Sequence, residues 1–259
     1  SACLVGSEMC IRDSNVAMGY RAGYTVTTGV QNTLIGGLAG DALTTGAGNT
    51  VLGYQALTTE DAHGNNVAVG YKALRDLNAG ANGHNTAVGN EAGMRLSTGI
   101  TNVIVGSLAG DHLTTGNSNV AVGYQALTAE DGHGKNVAIG HNTLRDQDAG
   151  ADAYNVAIGF EAGKVVSTGN ETILIGGNAG LALTTGIRNV AIGHAALQTE
   201  DTTGYNVAIG NRALQSQNAG SDAYNVAVGS NAGQSVTTGT SNTLIGGLAG
   251  DALTDGNAN

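Results

Sequence analysis

The pentapeptide Asn136-Val137-Ala138-Ile139-Gly140 is one copy of a motif that recurs along the chain and decides its fold. The first motif residue is Asn in every copy but one, the second is Val, Thr or Ile, and the last is always Gly. A short alternating run of β-branched residues indicates a β-strand, and the glycine supplies the backbone freedom that a corner needs. Each copy therefore predicts one short strand followed by a corner.

The spacing of the motif glycines predicts a stack of coils. Three equal steps are followed by one step that is longer by two, and the same set of steps then begins again at Gly89, Gly159 and Gly229. The first set runs through Gly19, Gly36, Gly53, Gly70 and Gly89, a 17-17-17-19 pattern. A unit of this length cannot bury its own apolar face, whereas stacked copies can.

The predicted fold is all-β, a parallel β-solenoid or β-roll of about 14 coils, in which four coils make one super-repeat. For the segment after each motif glycine, as in 71–75, we expect a second short strand, with a helical turn as the alternative.

Composition favours a thin, repetitive structure over a globular enzyme. The chain has 259 residues with 43 Gly, no Pro and no Trp, and only 3% of it is aromatic. The formal net charge is −10 and the few cations are not clustered, which argues against binding to nucleic acid or to an anionic membrane. No apolar stretch is long enough for a transmembrane helix, so no membrane insertion by this segment is expected.

The first residues of the chain do not follow the repeat. Residues 1–14 contain both cysteines, Cys3 and Cys10, and end in the string MCIRDS, which resembles the translation of a common sequencing adapter. We interpret 1–14 as a non-native leader and 15–259 as a single repeat domain. Because the last repeat is incomplete, this domain is expected to be truncated at both ends.

Stacking would place the motif Asn side chains in a ladder that bonds one coil to the next. This role is structural rather than chemical. Its predicted members include Asn32, Asn66, Asn102, Asn136, Asn189, Asn206 and Asn242.

The middle residue of every predicted strand is apolar, and these residues form a continuous stripe along the stack. Both faces of each strand are therefore apolar, which is typical of a strand that is buried on both faces. Since the chain has no spare helix as a cover, this stripe predicts contact with further copies of the chain, most simply a homotrimer. The alternative is that the stripe faces a narrow interior and the flanking Val and Ile residues face outward. The stripe comprises Ala17, Leu34, Val51, Ala68, Ala87, Ile104, Ala121, Ala138, Ala157, Leu174, Ala191, Ala208, Ala227 and Leu244.

The motif resembles the head repeat of trimeric autotransporter adhesins at 136–140, 155–159, 189–193 and 206–210, and it is similar to repeats of phage tail-fibre proteins. The resemblance covers the chain from Asn15 onward. It implies a left-handed parallel β-roll, assembled as a trimer and displayed on a cell surface or a virion. The adhesin repeat is usually shorter than the coils of this chain and lacks their super-repeat, so adhesin and phage fibre both stay open.

The expected function is therefore a structural or adhesive segment of an extracellular fibre, with a host protein or glycan as its target. Such a fibre would be anchored in the outer membrane through other parts or carried on a phage virion. The chain has no nucleophile elbow, zinc-protease motif or P-loop, so neither enzymatic activity nor a cofactor is expected. In the longer coils, His84, Tyr154 and Tyr224 end the longest corners and are candidates for ligand contact, although a corner can also tolerate two extra residues.

Two further patterns have competing interpretations. The segments 60–63 and 130–133 combine Glu, Asp and His, which could bind a divalent cation, but 200–203 lacks the His. We favour a solvated acidic turn and predict no metal site. Recurrent Thr-Thr-Gly, as at 44–46, could form the Thr rows of a monomeric ice-binding solenoid. Because acidic coils interrupt those rows, a role in the turns is favoured.

Overall fold

The computed structural model describes residues 14–130 and 132–259, and the chain divides into two compact units, Ser1–Gly132 and His133–Asn259. Apart from Ser14, the predicted leader lies outside the described residues. Each unit contains seven strands of three residues. The first unit has β1 (Val16–Met18), β2 (Thr33–Ile35), β3 (Thr50–Leu52), β4 (Val67–Val69), β5 (Thr86–Val88), β6 (Val103–Val105) and β7 (Val120–Val122). The second unit has β8 (Val137–Ile139), β9 (Val156–Ile158), β10 (Ile173–Ile175), β11 (Val190–Ile192), β12 (Val207–Ile209), β13 (Val226–Val228) and β14 (Thr243–Ile245).

Consecutive strands within each unit pair in parallel, and each motif residue lies opposite its counterpart in the next coil. Ala68 of β4, for example, pairs with Ala87 of β5, and Ala191 of β11 pairs with Ala208 of β12. The prediction of an all-β parallel β-solenoid, with one strand in each repeating coil, is thereby confirmed. Across residues 14–130 and 132–259 no helix is long and apolar enough to cross a membrane.

The segment after each motif glycine is a chain of turns, so the expectation of a second strand there is wrong. In 71–75, Lys72 and Leu74 have φ of 54° and 49°, a left-handed conformation that neither a strand nor a right-handed helix contains. Turn bonds hold the segment locally, and the Leu74 amide donates to the carbonyl of Ala92 in the next coil at 3.1 Å. The helical alternative is excluded by the same torsions.

The predicted intermolecular stripe faces the interior, which is a correction. From β2 to β14 the middle strand residue is buried inside its own unit, whereas the two flanking residues are partly or largely exposed. A side chain that its own chain already covers offers no surface to a second copy. The buried stripe residues are Leu34, Val51, Ala68, Ala87, Ile104, Ala121, Ala138, Ala157, Leu174, Ala191, Ala208, Ala227 and Leu244. Ala17 of β1 is exposed.

Complementary side-chain sizes in this narrow interior explain the period of four coils. A Cβ at Gly23 would lie 2.7 Å from the Leu34 side chain, and a Cβ at Gly40 would lie 3.0 Å from it, so two glycines make room for one leucine. In the next two coils the stripe residue is smaller, and Leu57 and Leu74 occupy the place of those glycines. Because protein interiors are closely packed, a large stripe residue requires a small neighbour and a small stripe residue requires a large one. The super-repeat is therefore a repeat of core packing.

Candidate binding surface

The Asn side chains form a ladder of hydrogen bonds inside each unit. The Asn32 carboxamide oxygen accepts the backbone N–H of Asn49 at 2.9 Å, and the Asn189 oxygen accepts that of Asn206 at 3.0 Å. Equivalent bonds at 2.8–3.2 Å come from the other predicted members Asn66, Asn102, Asn136 and Asn242. Every one of these side chains is buried. Because its carboxamide oxygens accept backbone N–H groups of the next coil, the ladder holds successive coils together.

The outward face of each sheet is largely aliphatic, with threonine at the first position of β2, β3, β5 and β14. It consists of the first and third residue of each strand, and no charged residue occupies these positions in β1–β14. Some of its side chains are widely open to solvent, such as Leu52 at 46% and Val103 at 40% exposure. Contiguous apolar surface of this kind marks interaction sites more often than an inert surface. We call it the outer sheet face.

Exposed aromatic side chains border this face just after the motif glycine. Tyr54 and Tyr71 stack with ring centroids 5.9 Å apart in the first unit, and His141 and Phe160 stack at 5.3 Å in the second. Consecutive coils place the same motif position side by side, so aromatic residues at that position stack automatically. The border therefore adds exposed aromatic rings beside the outer sheet face.

The three predicted loop residues all immediately precede a ladder Asn. His84, Tyr154 and Tyr224 have φ of 50°, 54° and 52°, and the two tyrosines are 54% and 55% exposed. The structure brings Tyr154 and Tyr224 into one column of the second unit, where other side chains join them. His84 lies in the corresponding column of the first unit.

Contacts between successive side chains order this column in the second unit. The Tyr154 hydroxyl contacts the Lys135 ammonium at 3.0 Å, and the Tyr205 hydroxyl contacts the Arg188 guanidinium at 2.8 Å. Tyr205 and Tyr224 stack at 4.9 Å. We call this column the tyrosine ridge, and it comprises Lys135, Tyr154, Glu171, Arg188, Tyr205 and Tyr224. Sequence reasoning found only its tyrosines in the long corners, because the others become neighbours only through stacking.

Ion pairs fix the charges of the ridge. The Lys135 ammonium lies 2.6 Å from Asp152 and the Arg188 guanidinium 2.8 Å from Glu171. A hydrogen bond from Lys135 lowers the pKa of Asp152, and one from Arg188 lowers the pKa of Glu171. All four groups thus stay charged at neutral pH and largely cancel. The ridge presents phenol faces and paired charges rather than a strong field.

The acidic corners differ from the expected solvated turns, because Glu60, Glu130 and Glu200 are buried. One Glu60 oxygen accepts the N–H of His63 at 3.0 Å and the other accepts that of Ala79 at 3.1 Å. The carboxylate therefore caps the corner. The side chains of Glu60, Asp61 and His63 lie close enough together to hold a metal ion. However, both Glu60 oxygens already accept hydrogen bonds from backbone amides.

The Thr-Thr-Gly corners use their hydroxyl groups between coils. The Thr44 hydroxyl donates to the Asp61 carbonyl at 2.7 Å, and the Thr237 hydroxyl donates to the Thr254 carbonyl at 3.1 Å. These hydroxyl hydrogens are used between coils rather than offered to solvent. This geometry favours the role in the turns over the ice-binding alternative.

Comparisons with protein families, with curated proteins and with solved structures found no match for the chain.

Proposed function

We propose that the chain is a structural and adhesive segment of an extracellular fibre, on a cell surface or a virion, and that three copies associate through their outer sheet faces. The observation that carries the proposal is the outer sheet face, which is largely aliphatic, uncharged and repeated in both units. The resemblance of the motif to adhesin head repeats and tail-fibre repeats supports the same assignment. This role requires no catalysis and no cofactor.

The size of the outer sheet face fits association with identical chains. If each of its side chains exposes roughly 50 Å², the fourteen strands offer roughly 1,400 Å², or roughly 700 Å² to each of two neighbours, close to the ~800 Å² that each partner contributes to a standard interface. Another copy of the chain carries the same sequence of coil lengths and hence a matching row of side chains. Around a threefold axis, each face would meet the faces of two neighbours.

Sedimentation of the full chain tests the assembly. We expect a mass three times that of the 25.6 kDa monomer. Ile209→Glu would place a charge on the outer sheet face and should yield monomer. The matched control is Asn218→Asp, because Asp148 already occupies the same place in the preceding super-repeat. A monomeric wild-type chain, or a trimer that Ile209→Glu leaves intact, would reject assembly through this face.

We further propose that the tyrosine ridge is the attachment surface. Tyrosine combines a large apolar ring with a polar tip and orders at low entropic cost, which suits recognition of other molecules. The contacts along the ridge hold its side chains in place before any ligand arrives, so less freedom is lost on binding.

Arrays of glycans and extracellular matrix proteins test this attachment surface. The wild-type chain should bind one class of array spot, and the double variant Tyr205→Ser with Tyr224→Ser should lose at least about tenfold in affinity, since buried tyrosine anchors dominate interfaces. His84→Ser is the control, because it alters the corresponding column of the first unit. Equal binding by the double variant, or no binding by any chain, would reject the ridge as an adhesive surface.

A further inference from the structure

Glu200 of the second unit lies in the interior with one carboxylate oxygen unused. Its residue exposure is 0%, and its Oε1 accepts the backbone N–H of Thr203 at 3.1 Å. The other oxygen, Oε2, has no hydrogen-bond partner within the part of the chain that the structure describes. An unpaired buried carboxylate oxygen is costly, so its surroundings decide what satisfies it.

Gln217 occupies the same position in the next coil, one coil length after Glu200, and its side chain is also fully buried. The two coils are joined next to these residues, because the Thr199 hydroxyl donates to the carbonyl oxygens of Gln215 at 2.7 Å and Gln217 at 3.3 Å. Consecutive coils of a parallel stack lie about 4.8 Å apart, so the two side chains are neighbours in one interior column.

A relay of hydrogen bonds fixes the orientation of the Gln217 amide. The Asn225 oxygen accepts the N–H of Asn242 at 2.9 Å, which turns the Asn225 amino group toward Gln217. That amino group donates to the Gln217 oxygen at 2.8 Å. The Gln217 nitrogen must therefore point elsewhere, and it finds no partner among residues 14–130 and 132–259.

Thr203 contributes a third polar atom to the same place. Its exposure is 3%, and its side chain lies close enough to the Glu200 carboxylate to favour the charged form. Yet its hydroxyl is outside hydrogen-bonding geometry with every described residue. Glu200 Oε2 is thus an acceptor, Gln217 Nε2 a donor and the Thr203 hydroxyl a group that can do both, and each is buried without a hydrogen-bond partner among the described residues.

We propose that this corner binds one internal water molecule, held by Glu200 Oε2, Thr203 Oγ1 and Gln217 Nε2. Water is the ligand that both accepts from the amide and donates to the carboxylate, and buried waters typically bond to about three otherwise unpaired groups. A metal cation would face the N–H group of Gln217, and an anion would face the carboxylate of Glu200, so neither fits.

The first unit supplies a control within the same molecule. At its equivalent corner both Glu60 oxygens accept backbone N–H groups, and the position of Gln217 is occupied by the buried Leu77. Leu77 offers no donor there, and the buried His63 Nδ1, which has no hydrogen-bond partner among the described residues, lies 3.3 Å from Glu60 Oε1. The inference predicts a bound water at Glu200 and none at Glu60.

A high-resolution crystal structure of the full chain tests the inference. The expected result is a water oxygen within about 3.2 Å of all three atoms at Glu200, and no such water at Glu60. A direct hydrogen bond between Glu200 and Gln217, a dry corner, or a water at both carboxylates would each overturn it. In solution, magnetic relaxation dispersion should count one long-lived water fewer in Gln217→Leu than in the wild type. An unchanged count would also overturn it.

Discussion

In the first unit, the column that precedes the ladder carries small or amide side chains and one histidine, whereas in the second unit it carries the tyrosine ridge. The members in the first unit are Ser14, Gln31, Gly48, Asn65, His84, Thr101 and Ser118. The backbone is the same in both columns, with positive φ at every one of these positions, for example 61° at Asn65 and 62° at Tyr205. The fold thus fixes the conformation of the column but not the size of its side chains.

This difference teaches which side chains the fold requires. Asn and Gly adopt a left-handed conformation at little cost, whereas Tyr, Arg and Lys do so less readily. The first unit shows that the solenoid forms without Tyr, Arg or Lys in the column. The fold therefore does not require the tyrosines of the second unit at this position, which leaves them free for the proposed attachment surface.

The interiors of the two units also differ. The first unit provides hydrogen-bond donors for both oxygens of its buried glutamate, whereas the second unit provides a donor for only one. The Glu60 carboxylate has two backbone donors, whereas that of Glu200 has one. The ladder follows the same trend, because Asn102 of the first unit corresponds to Thr172 of the second. The following predictions test whether the units share one backbone design and differ only in these side chains.

The largest effect is expected where the units are alike, in the column of motif glycines. A Cβ at Gly106 would lie 2.4 Å from the Gly123 carbonyl oxygen, and one at Gly176 would lie 2.5 Å from that of Gly193, with φ of +135° and +132°. Both Gly106→Ala and Gly176→Ala should lower the free energy of unfolding of their unit by more than about 3 kcal/mol. Native-state hydrogen exchange measures each unit separately.

Gly80→Ala is the control for this pair. Gly80 has φ of +67° but nothing within 4 Å of an added Cβ, so only the torsional cost of about 1 kcal/mol applies. If Gly106→Ala were as mild as Gly80→Ala, close stacking of the glycines could not be what limits this position.

An intermediate effect is expected at the buried glutamates. Replacing Glu by Gln should lower the free energy of unfolding of the first unit and raise that of the second. Glu60→Gln places an amide N–H against a backbone N–H, because both Glu60 oxygens accept, and should cost about 1–3 kcal/mol. Glu200→Gln keeps an oxygen for the Thr203 amide and removes a buried charge, so it should stabilise the second unit. Urea unfolding near neutral pH, followed by hydrogen exchange in each unit, gives both values. Equal signs would contradict the difference between the corners.

The pH dependence of the second unit gives an independent check on Glu200. Burial raises the pKa of its carboxyl above the ordinary 4.5, so the folded state binds this proton more tightly than the unfolded state. Its contribution to stability is full below that ordinary value and is lost as pH rises through the raised folded pKa. The stabilisation by Glu200→Gln should therefore grow between about pH 4 and about pH 7. A constant difference would mean that the carboxyl titrates alike in both states.

Much of the fold follows from the sequence because the motif repeats. Asn136, Gly140 and their counterparts give the strand, the corner and the coil length without any tertiary information. The sequence does not decide whether the stripe of middle strand residues faces the interior or a second chain. An Ala between two Val residues, as in 67–69, is compatible with both orientations. What decides it is the match between Leu34 and the glycines of two coils, which only the three-dimensional packing shows.

The candidate surfaces are less predictable for a related reason. Tyr154 and Tyr224 stand out in the sequence because they end the longest corners, but Lys135 and Arg188 join them only once the coils are stacked in register. The buried state of Glu60 is also invisible in the sequence, because an acidic pair at a turn normally faces solvent. Its two backbone donors come from its own turn and from the next coil.

The smallest predicted effect concerns the one interruption of the Asn ladder. The Thr172 hydroxyl donates to the Asn155 oxygen at 2.8 Å, but among the described residues the next ladder amide, Asn189 N–H, donates no bond equivalent to those elsewhere. In the first unit the Asn102 oxygen accepts the corresponding N–H from Asn119 at 2.8 Å, and its amino group donates to Gly116 at 2.9 Å.

Thr172→Asn should restore the missing ladder bond and raise the free energy of unfolding of the second unit by about 1 kcal/mol. Asn102→Thr should lower that of the first unit by a similar amount, because it makes the same interruption there. Amide exchange at Asn189 and Asn119 reports each bond directly, with slower exchange expected in the first variant and faster in the second. If both substitutions destabilise, then Thr172 is matched to its own coil, and the units differ in packing around the ladder as well as in the ladder itself.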